Sequence, residues 1–466
     1  MAKAKASAER RTPPVLDRVT FKTSRLGEFC SDRELVAQTG HPIVEWPLVI
    51  LKELVDNAID ICEEKDIPPE VAVSVVVRDG SITVVDNGPG IPSQTVADIL
   101  DYSYRVSSRE AYVSPTRGAQ GNALKTLLAM GFALDSDEPL ETIIEGQGVR
   151  HRIVFRVDQV RQEPRIDHEP GPSNVKNGTS IRLMWPQRAS SFLLTARSRF
   201  LQIADDFAWL NPHMSITASW DGERRVERQA TKPDWKKWRA REPTSAHWYT
   251  LARFERYAGA HIARDEDMGR ERTVREFISE FRGLHGSAKQ KAVLDEVGAA
   301  RTSLASYFGR PETDHAAMGK LLAACKKHTR PVKPLDIGVI GKDHFEALFV
   351  ADGVAPPSFQ YGRQLLVVSH GVPQVAEVAF GYVPKGEVRR IIYGVNWSVA
   401  IGHTPFRNLG RAAESLDSLL TEQRAGRDES VRLLIHLASP WIQYTDRGKS
   451  SISLDDDEED DEDEEG

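Results

Sequence analysis

"LKELVDNAID", residues 51–60, decides how this chain is read. On a helix at about 100° per residue, Glu53, Asn57 and Asp60 fall within about 60° of one another, while Leu51, Leu54, Val55, Ala58 and Cys62 gather opposite. One face packs and the other presents carboxylates and an amide. Taken alone, this is equally the pattern of a solvated helix face. Further on, "ITVVDNGPGIP" (82–92) sets Asp86 at the end of a strand-like run, with Gly88 and Gly90 behind it. Those glycines let the backbone approach a ligand, and Asp86 can accept a hydrogen bond from an exocyclic amine; the same pattern also makes an ordinary turn. "TRGAQGNALKTLLAMG" (116–131) is a loop with Gly118 and Gly121 opening a helix near Asn122, whose free amides suit phosphate. "KNGTSIRLMW" (176–185) enters a strand through Gly178 and Thr179, a hydroxyl that either donates to a ligand or caps a turn.

The rest of the chain supplies the setting. Its 466 residues, 40% hydrophobic and 28% charged, suit two to four globular domains with sizeable cores. Cys30, Cys62 and Cys325 are odd in number, far apart and without a CxxC pair, which fits neither a disulfide framework nor a zinc site and points to a reducing cytoplasm. No apolar run is long enough to span a membrane, and the basic start "MAKAKASAERR" lacks the apolar core of a signal peptide. Eleven acids crowd Asp455–Glu465; without them the net charge of −7 becomes +4 on the body. Such a run is expected to be disordered, as either a solubilising tail or a competitor for the chain's own basic surface.

Strand-like and helical runs alternate over 21–242, helical pattern dominates 243–330, and strand-like runs return around a helix over 331–454. A flexible basic arm (1–20) and the acidic tail (455–466) flank them. No internal repeat is visible. "KPDWKKWRARE" (232–242) interleaves Lys232, Lys236, Lys237, Arg239 and Arg241 with Trp235 and Trp238, and "CKKHTRPVK" (325–333) adds a second basic cluster. Such charge either binds nucleic-acid phosphate without reading sequence or is solvated, with the tryptophans anchoring a domain junction.

Taken in order, acid-xxx-Asn, Asp-x-Gly-x-Gly, a glycine-rich lid and Gly-Thr before a strand resemble the ATP-binding fold of gyrase, Hsp90, histidine kinases and MutL, the GHKL ATPases. The fold implied is α+β: a Bergerat-type α/β sandwich, then a helix-two-turns-helix-like insert and an α/β transducer domain. Over residues 20–454 the resemblance extends to the B subunit of DNA topoisomerase VI. It rests there on "SSREAYVSPTRG" (107–118), "TVREFISEFRGLHGSAKQKAVLDEVG" (273–298), "LDIGVIGKDHFEALF" (335–349), "GVPQVAEVAFG" (371–381) and "HLASPWIQYTDRGKSSIS" (436–453).

The resemblance implies ATP and Mg²⁺ as cofactors, Glu53 as general base, Asn57 as Mg²⁺ ligand and Asp86 as reader of the adenine amine. It extends the nucleotide site to Asp60, Gly88, Gly90, Ser107, Ser108, Arg117, Gly118, Gln120, Gly121, Asn122, Ala123, Leu124, Lys125 and Thr179. Lys449 stands where a transducer lysine reaches the γ-phosphate. Implied partners are double-stranded DNA, a second copy of the chain in an ATP-dependent dimer, and a DNA-cleaving A-type subunit. Two features depart from the pattern: Ala123 replaces the lid's third glycine, and only a few residues separate Lys449 from the acidic tail, where the family has a helix that docks the A-type partner. No acidic metal cluster accompanies Tyr444 or the other tyrosines, so any cleavage is expected to belong to another protein. Alternatives are a GHKL clamp of another DNA-processing or defence complex, and, further off, an Hsp90-like chaperone.

Overall fold

The computed structural model describes residues 29, 31–102, 111–117, 123–137, 140–158, 160, 163–309, 312–368, 371–402, 406, 415–444 and 452–453. The arm 1–20, Ser107, Ser108, Gly118, Gln120, Gly121, Asn122, Lys449 and the tail 455–466 lie outside them.

The chain begins with α1 (Asp32–Thr39) and α2 (Trp46–Glu63), then β1 (Glu70–Val76), β2 (Ser81–Asp86), α3 (Ser93–Leu100), α4 (Ala123–Leu134) and β3 (Glu141–Gly146). There follow β4 (Val149–Asp158), β5 (Glu163–Pro172), β6 (Thr179–Met184), α5 (Ser190–Leu210), β7 (Ser215–Trp220) and β8 (Glu223–Arg228). The eight strands form one sheet, ordered β5-β4-β3-β6-β2-β1-β7-β8. Every adjacent pair is antiparallel except β1 with β7. Alternation decides which face is covered: Val71, Val73 and Val75, Ile82 and Val84, Ile181 and Leu183, and Ile216 and Ala218 are all buried. Helices α2, α4 and α5 pack against this sheet, giving a two-layer α+β sandwich. Asp86 shares the strand parity of Ile82 and Val84, so the covered face carries a carboxylate at its edge.

Helices α6 (Leu251–Asp267), α7 (Val274–Ile278), α8 (Ser287–Val297), α9 (Leu304–Phe308) and α10 (His315–His328) come next. They surround an aromatic nucleus in which Phe254, Tyr257, Phe277 and Phe281 meet at ring-centroid distances of 5.4–6.1 Å. Thr273 and Glu276 form a reciprocal capping box that starts α7.

The last region holds α11 (Pro334–Ile337), α12 (Lys342–Ala351), β9 (Gln360–Val368), β10 (Val372–Tyr382), β11 (Arg390–Val395), β12 (Ser398–Val399), α13 (Leu416–Glu422) and β13 (Val431–Ala438). Its sheet runs β12-β11-β13-β10-β9, with β11 and β13 parallel. A short ladder pairs β14 (Gln443–Tyr444) with β15 (Ile452–Ser453). This region is bound to the first by charge: Arg390 on β11 meets Asp205 of α5 at 2.7 Å and also pairs with Asp206, while Arg228 of β8 holds Asp205 at 2.6 Å.

The basic stretch 232–242 lies in the same junction. Trp235 and Trp238 are buried; the Trp235 indole donates to the Val339 carbonyl at 2.7 Å, and the Trp238 amide donates to Ile337. Lys237 is buried against Glu63, and Arg239 and Arg241 both pair with Asp66. Of the two readings its composition leaves open, the structure favours the junction anchor, with Lys232, Lys236 and the Asp66-paired Arg241 exposed.

Candidate functional site

Asp86 is the centre of the site. Its Oδ1 accepts from the backbone N–H of Gly88 at 2.8 Å and of Thr179 at 3.1 Å. Burial pushes the carboxyl above the ordinary aspartate value, and the two backbone donors oppose that rise. The turn around it tolerates no side chain at one crucial point. Gly178 has φ +77°, and a Cβ there would lie 2.0 Å from the Asp86 carbonyl oxygen. The Gly178 N–H donates to the Gly88 carbonyl at 2.8 Å, which ties the loop after β2 to the entry of β6. The buried Thr179 hydroxyl lies beside Asp86 and, with the two backbone donors, favours its charged form. A buried carboxylate with a hydroxyl beside it can pair with a ligand that presents both a donor and an acceptor.

Helix α2 supplies the opposite wall. Asn57 is exposed and the Glu53 side chain retains 30% of its exposure, on the face left open by the apolar stripe. The Asp86 loop lies on the next turn: a Cβ on Gly88 would meet Ile61 and Cys62, each at 3.2 Å. The loop thus spans the end of α2, meeting Ile61, four residues on from Asn57, and Cys62 of the packed face. Asn57 offers a hard oxygen suited to Mg²⁺, an ion that takes one or two protein ligands alongside phosphate and water. Among the described residues no group of three or more His, Cys, Asp or Glu is placed to hold a metal.

Other implied residues point elsewhere. Arg117 is wholly buried; it donates to Asp60 at 2.5 Å, to both Glu63 oxygens at 2.9 Å, and to Asn211 at 2.5 Å. Lys237 at 2.8 Å and His213 at 3.0 Å complete the surroundings of Glu63. Burial would raise the Glu63 carboxyl, but Arg117 first, then Lys237 and His213, hold it well below the ordinary glutamate range. Asp60 is paired with Arg117, yet burial outweighs that partner and holds its carboxyl above the ordinary aspartate value. The Lys125 ammonium turns inward to the Asp101 carbonyl at 2.5 Å and over the Tyr102 ring, and desolvation lowers its pKa. Leu124 is buried in the core and Ala123 is the first residue of α4. Gly90, with φ +79°, shapes the loop. One residue inside the opening stretch escaped the helical-wheel argument: Asp56 is buried and bonded to Ser398 of β12, and no local pattern signals a partner 342 residues away.

The chain resembles known proteins over part or most of its length. Residues 45–189 match the family described as histidine kinase-, DNA gyrase B-, and HSP90-like ATPase. The B subunit of type 2 DNA topoisomerase 6 from Archaeoglobus fulgidus is 26% identical over 423 residues, covering 87% of this chain and 66% of that protein. The corresponding Natronomonas pharaonis protein is 29% identical over 174 residues, covering 36% of this chain and 21% of its own length. The chain thus spans less than two thirds of these relatives. Among solved structures, the Aquifex aeolicus MutL ATPase domain complexed with ADP is 17% identical, covers 40% of this chain and 65% of its own, and overlays at a TM-score of 0.25. Residues 45–189, which include Glu53, Asn57, Asp86, Gly88 and Gly178, thus match the GHKL-type ATPase family, in a chain similar to the B subunits of topoisomerase 6.

Proposed function

We propose that the chain binds and hydrolyses ATP with Mg²⁺, and that ATP closes two copies into a cytoplasmic clamp on double-stranded DNA, in the manner of a topoisomerase VI B-like ATPase. The observation that supports the reading is the buried Asp86 carboxylate, one oxygen pinned by the amides of Gly88 and Thr179, in a loop that packs against the end of the helix bearing Glu53 and Asn57. Asp86 takes the adenine amine, Asn57 contributes to holding Mg²⁺, and Glu53 receives the proton of the attacking water. The proposed units are 21–242 for ATP, 243–330 for the helical insert and 331–454 for the transducer, with Lys449 as the γ-phosphate contact and Gly118 and Gly121 in the lid. Cleavage of DNA falls to a separate A-type partner.

Two variants test the site. Glu53→Ala should retain ATP binding and lose about 10²–10⁴-fold in hydrolysis, the usual contribution of a positioned base. Asp86→Asn should weaken ATP binding itself, because the amide cannot serve as a carboxylate acceptor toward the amine. Equal loss of binding and turnover in Glu53→Ala, or unchanged affinity in Asp86→Asn, refutes the assignments. A clamp of another DNA-processing complex, without strand passage, is the second reading. It is favoured by the junction role of residues 232–242, which takes Lys237, Arg239 and Arg241 away from DNA. ATP-dependent relaxation of supercoiled DNA with an added A-type partner separates the two.

A further inference from the structure

The tip of the third region reaches into the back of α2. Strands β11 and β12 form a hairpin whose two turn residues, Asn396 and Trp397, have φ +49° and +64°, the left-handed pair of a type I′ turn. Asparagine accepts this conformation and tryptophan rarely does, so the surroundings must hold it there. They do so from every side. The Trp397 amide donates to His436 Nε2 at 3.3 Å, and the Trp397 carbonyl accepts from Asn211 at 3.0 Å. The Asn396 side chain donates to the Thr116 carbonyl at 3.3 Å and accepts from the Ser439 amide at 2.9 Å. The indole of Trp397 is fully buried, with the Lys237 ammonium 4.7 Å from its centroid.

A turn fixed this firmly delivers one hydroxyl to one carboxylate. Ser398, itself buried, donates to Asp56 Oδ2 at 2.6 Å. The same oxygen accepts from Lys52 Nζ at 2.9 Å, and that ammonium also donates to Glu53 Oε1 at 3.3 Å. The other Asp56 oxygen is buried without a hydrogen bond, and the nearest guanidinium nitrogen, Arg117 Nε, stands 3.8 Å away. Asp56 thus divides its charge between a third-region hydroxyl and the lysine that tethers the base.

We propose that Ser398, acting through Asp56 and Lys52, is a positioning residue for Glu53, so that the third region sets the geometry of the hydrolytic base by a hydrogen-bonded relay through the back of α2. The inference rests on ATP hydrolysis with Glu53 as the base. With the hydroxyl in place, Asp56 is satisfied and Lys52 lies between the two carboxylates. Without it, a buried carboxylate oxygen loses a donor and draws the ammonium toward itself. Glu53 then loses its tether and samples rotamers that do not face the water. Nothing in the relay touches nucleotide, so ATP binding is unaffected.

The test is steady-state ATP hydrolysis and equilibrium ATP binding by the full chain as wild type, Ser398→Ala, Ser398→Thr and Glu53→Ala. Ser398→Ala should lower kcat about tenfold with KM within about twofold, the split expected for a misplaced base. Ser398→Thr, which keeps the hydroxyl, should retain more than half of the wild-type kcat. A wild-type rate in Ser398→Ala, a loss of ATP affinity matching the loss of rate, or a Ser398→Thr as impaired as Ser398→Ala overturns the relay. Should Ser398→Ala fail to fold, Asp56→Asn replaces it: the relay requires the same fall in kcat at constant KM, and a wild-type kcat overturns it. The Glu53→Ala arm separates the two levels. If Glu53→Ala is inactive while Ser398→Ala is normal, only the relay fails; if Glu53→Ala hydrolyses normally, the base assignment fails and the relay with it.

Discussion

Replacing Arg117 with methionine tests what holds α2 in place. Its guanidinium is wholly buried and satisfies Asp60, both oxygens of Glu63 and the Asn211 amide oxygen. Breaking a buried ion pair from one side costs about 3–5 kcal/mol, because the remaining charge is stranded in low dielectric. Two features place this variant at the lower end. Asp60 keeps 31% of its side-chain exposure and recovers water as a partner, and Glu63 keeps Lys237 at 2.8 Å and His213 at 3.0 Å. Methionine fills most of the vacated volume, which limits any cavity contribution. The expected loss is about 3 kcal/mol, which for a cooperative unit of the size of the first domain lowers Tm by roughly 10 °C. Differential scanning calorimetry of the full chain reads this in the transition that ATP shifts upward, which separates the first domain from the others. Arg117→Lys should recover little, since a single ammonium cannot span both Glu63 oxygens and Asp60. If Arg117→Met melts within about 2 °C of wild type, the cluster contributes no net stability, and α2 is held by its apolar face alone.

Two further outcomes follow from the same geometry. Gly178→Ala forces a Cβ onto the Asp86 carbonyl at 2.0 Å, in a backbone conformation that costs a non-glycine residue about 1 kcal/mol even in open space; ATP affinity should fall by at least tenfold, and unchanged affinity in isothermal titration would show that the loop relaxes freely. Glu63 is held below the ordinary glutamate value of 4.5, so its contribution is complete above that pH, where the unfolded chain is also ionised, and is lost as pH falls toward the depressed folded value. Urea midpoints should decline below about pH 4.5, less so in Glu63→Gln; parallel declines in both proteins would refute the assignment.

What could be read from the sequence was what is local. Asp86, Gly88, Gly178 and Thr179 announce themselves because strand alternation and the sterics of a missing Cβ act over a few residues. Glu53 and Asn57 are legible because a helix repeats every three to four residues. Asp60 has the same spacing, yet its partner is chosen by Arg117, 57 residues on, and no period predicts that pairing. Lys125 stands near the start of α4, where an ammonium would suit phosphate, but the Asp101 carbonyl and the Tyr102 ring lie on its inner side. The basic stretch 232–242 carries a composition common to nucleic-acid surfaces and to junctions, and only burial of Trp235, Trp238 and Lys237 separates the two.

The contacts between the first and third regions also limit how the molecule can rearrange. Arg390 holds Asp205 and Asp206 of α5, and Arg228 joins Asp205 from the edge strand β8. A second junction runs from Asn396, Trp397 and Ser398 to Thr116, Asn211 and Asp56. Separating the regions would break these ion pairs and hydrogen bonds together. Asp56 and Asp60 of α2 meet the second junction, directly through Ser398 and by way of Arg117 and Asn211. A shift of α2 by a fraction of an ångström on nucleotide binding would be felt first at Ser398, because that hydrogen bond is short, buried and anchored in a turn with no slack. Under the proposed relay, communication between the regions runs through displacement of this existing contact as well as through the contact proposed for Lys449.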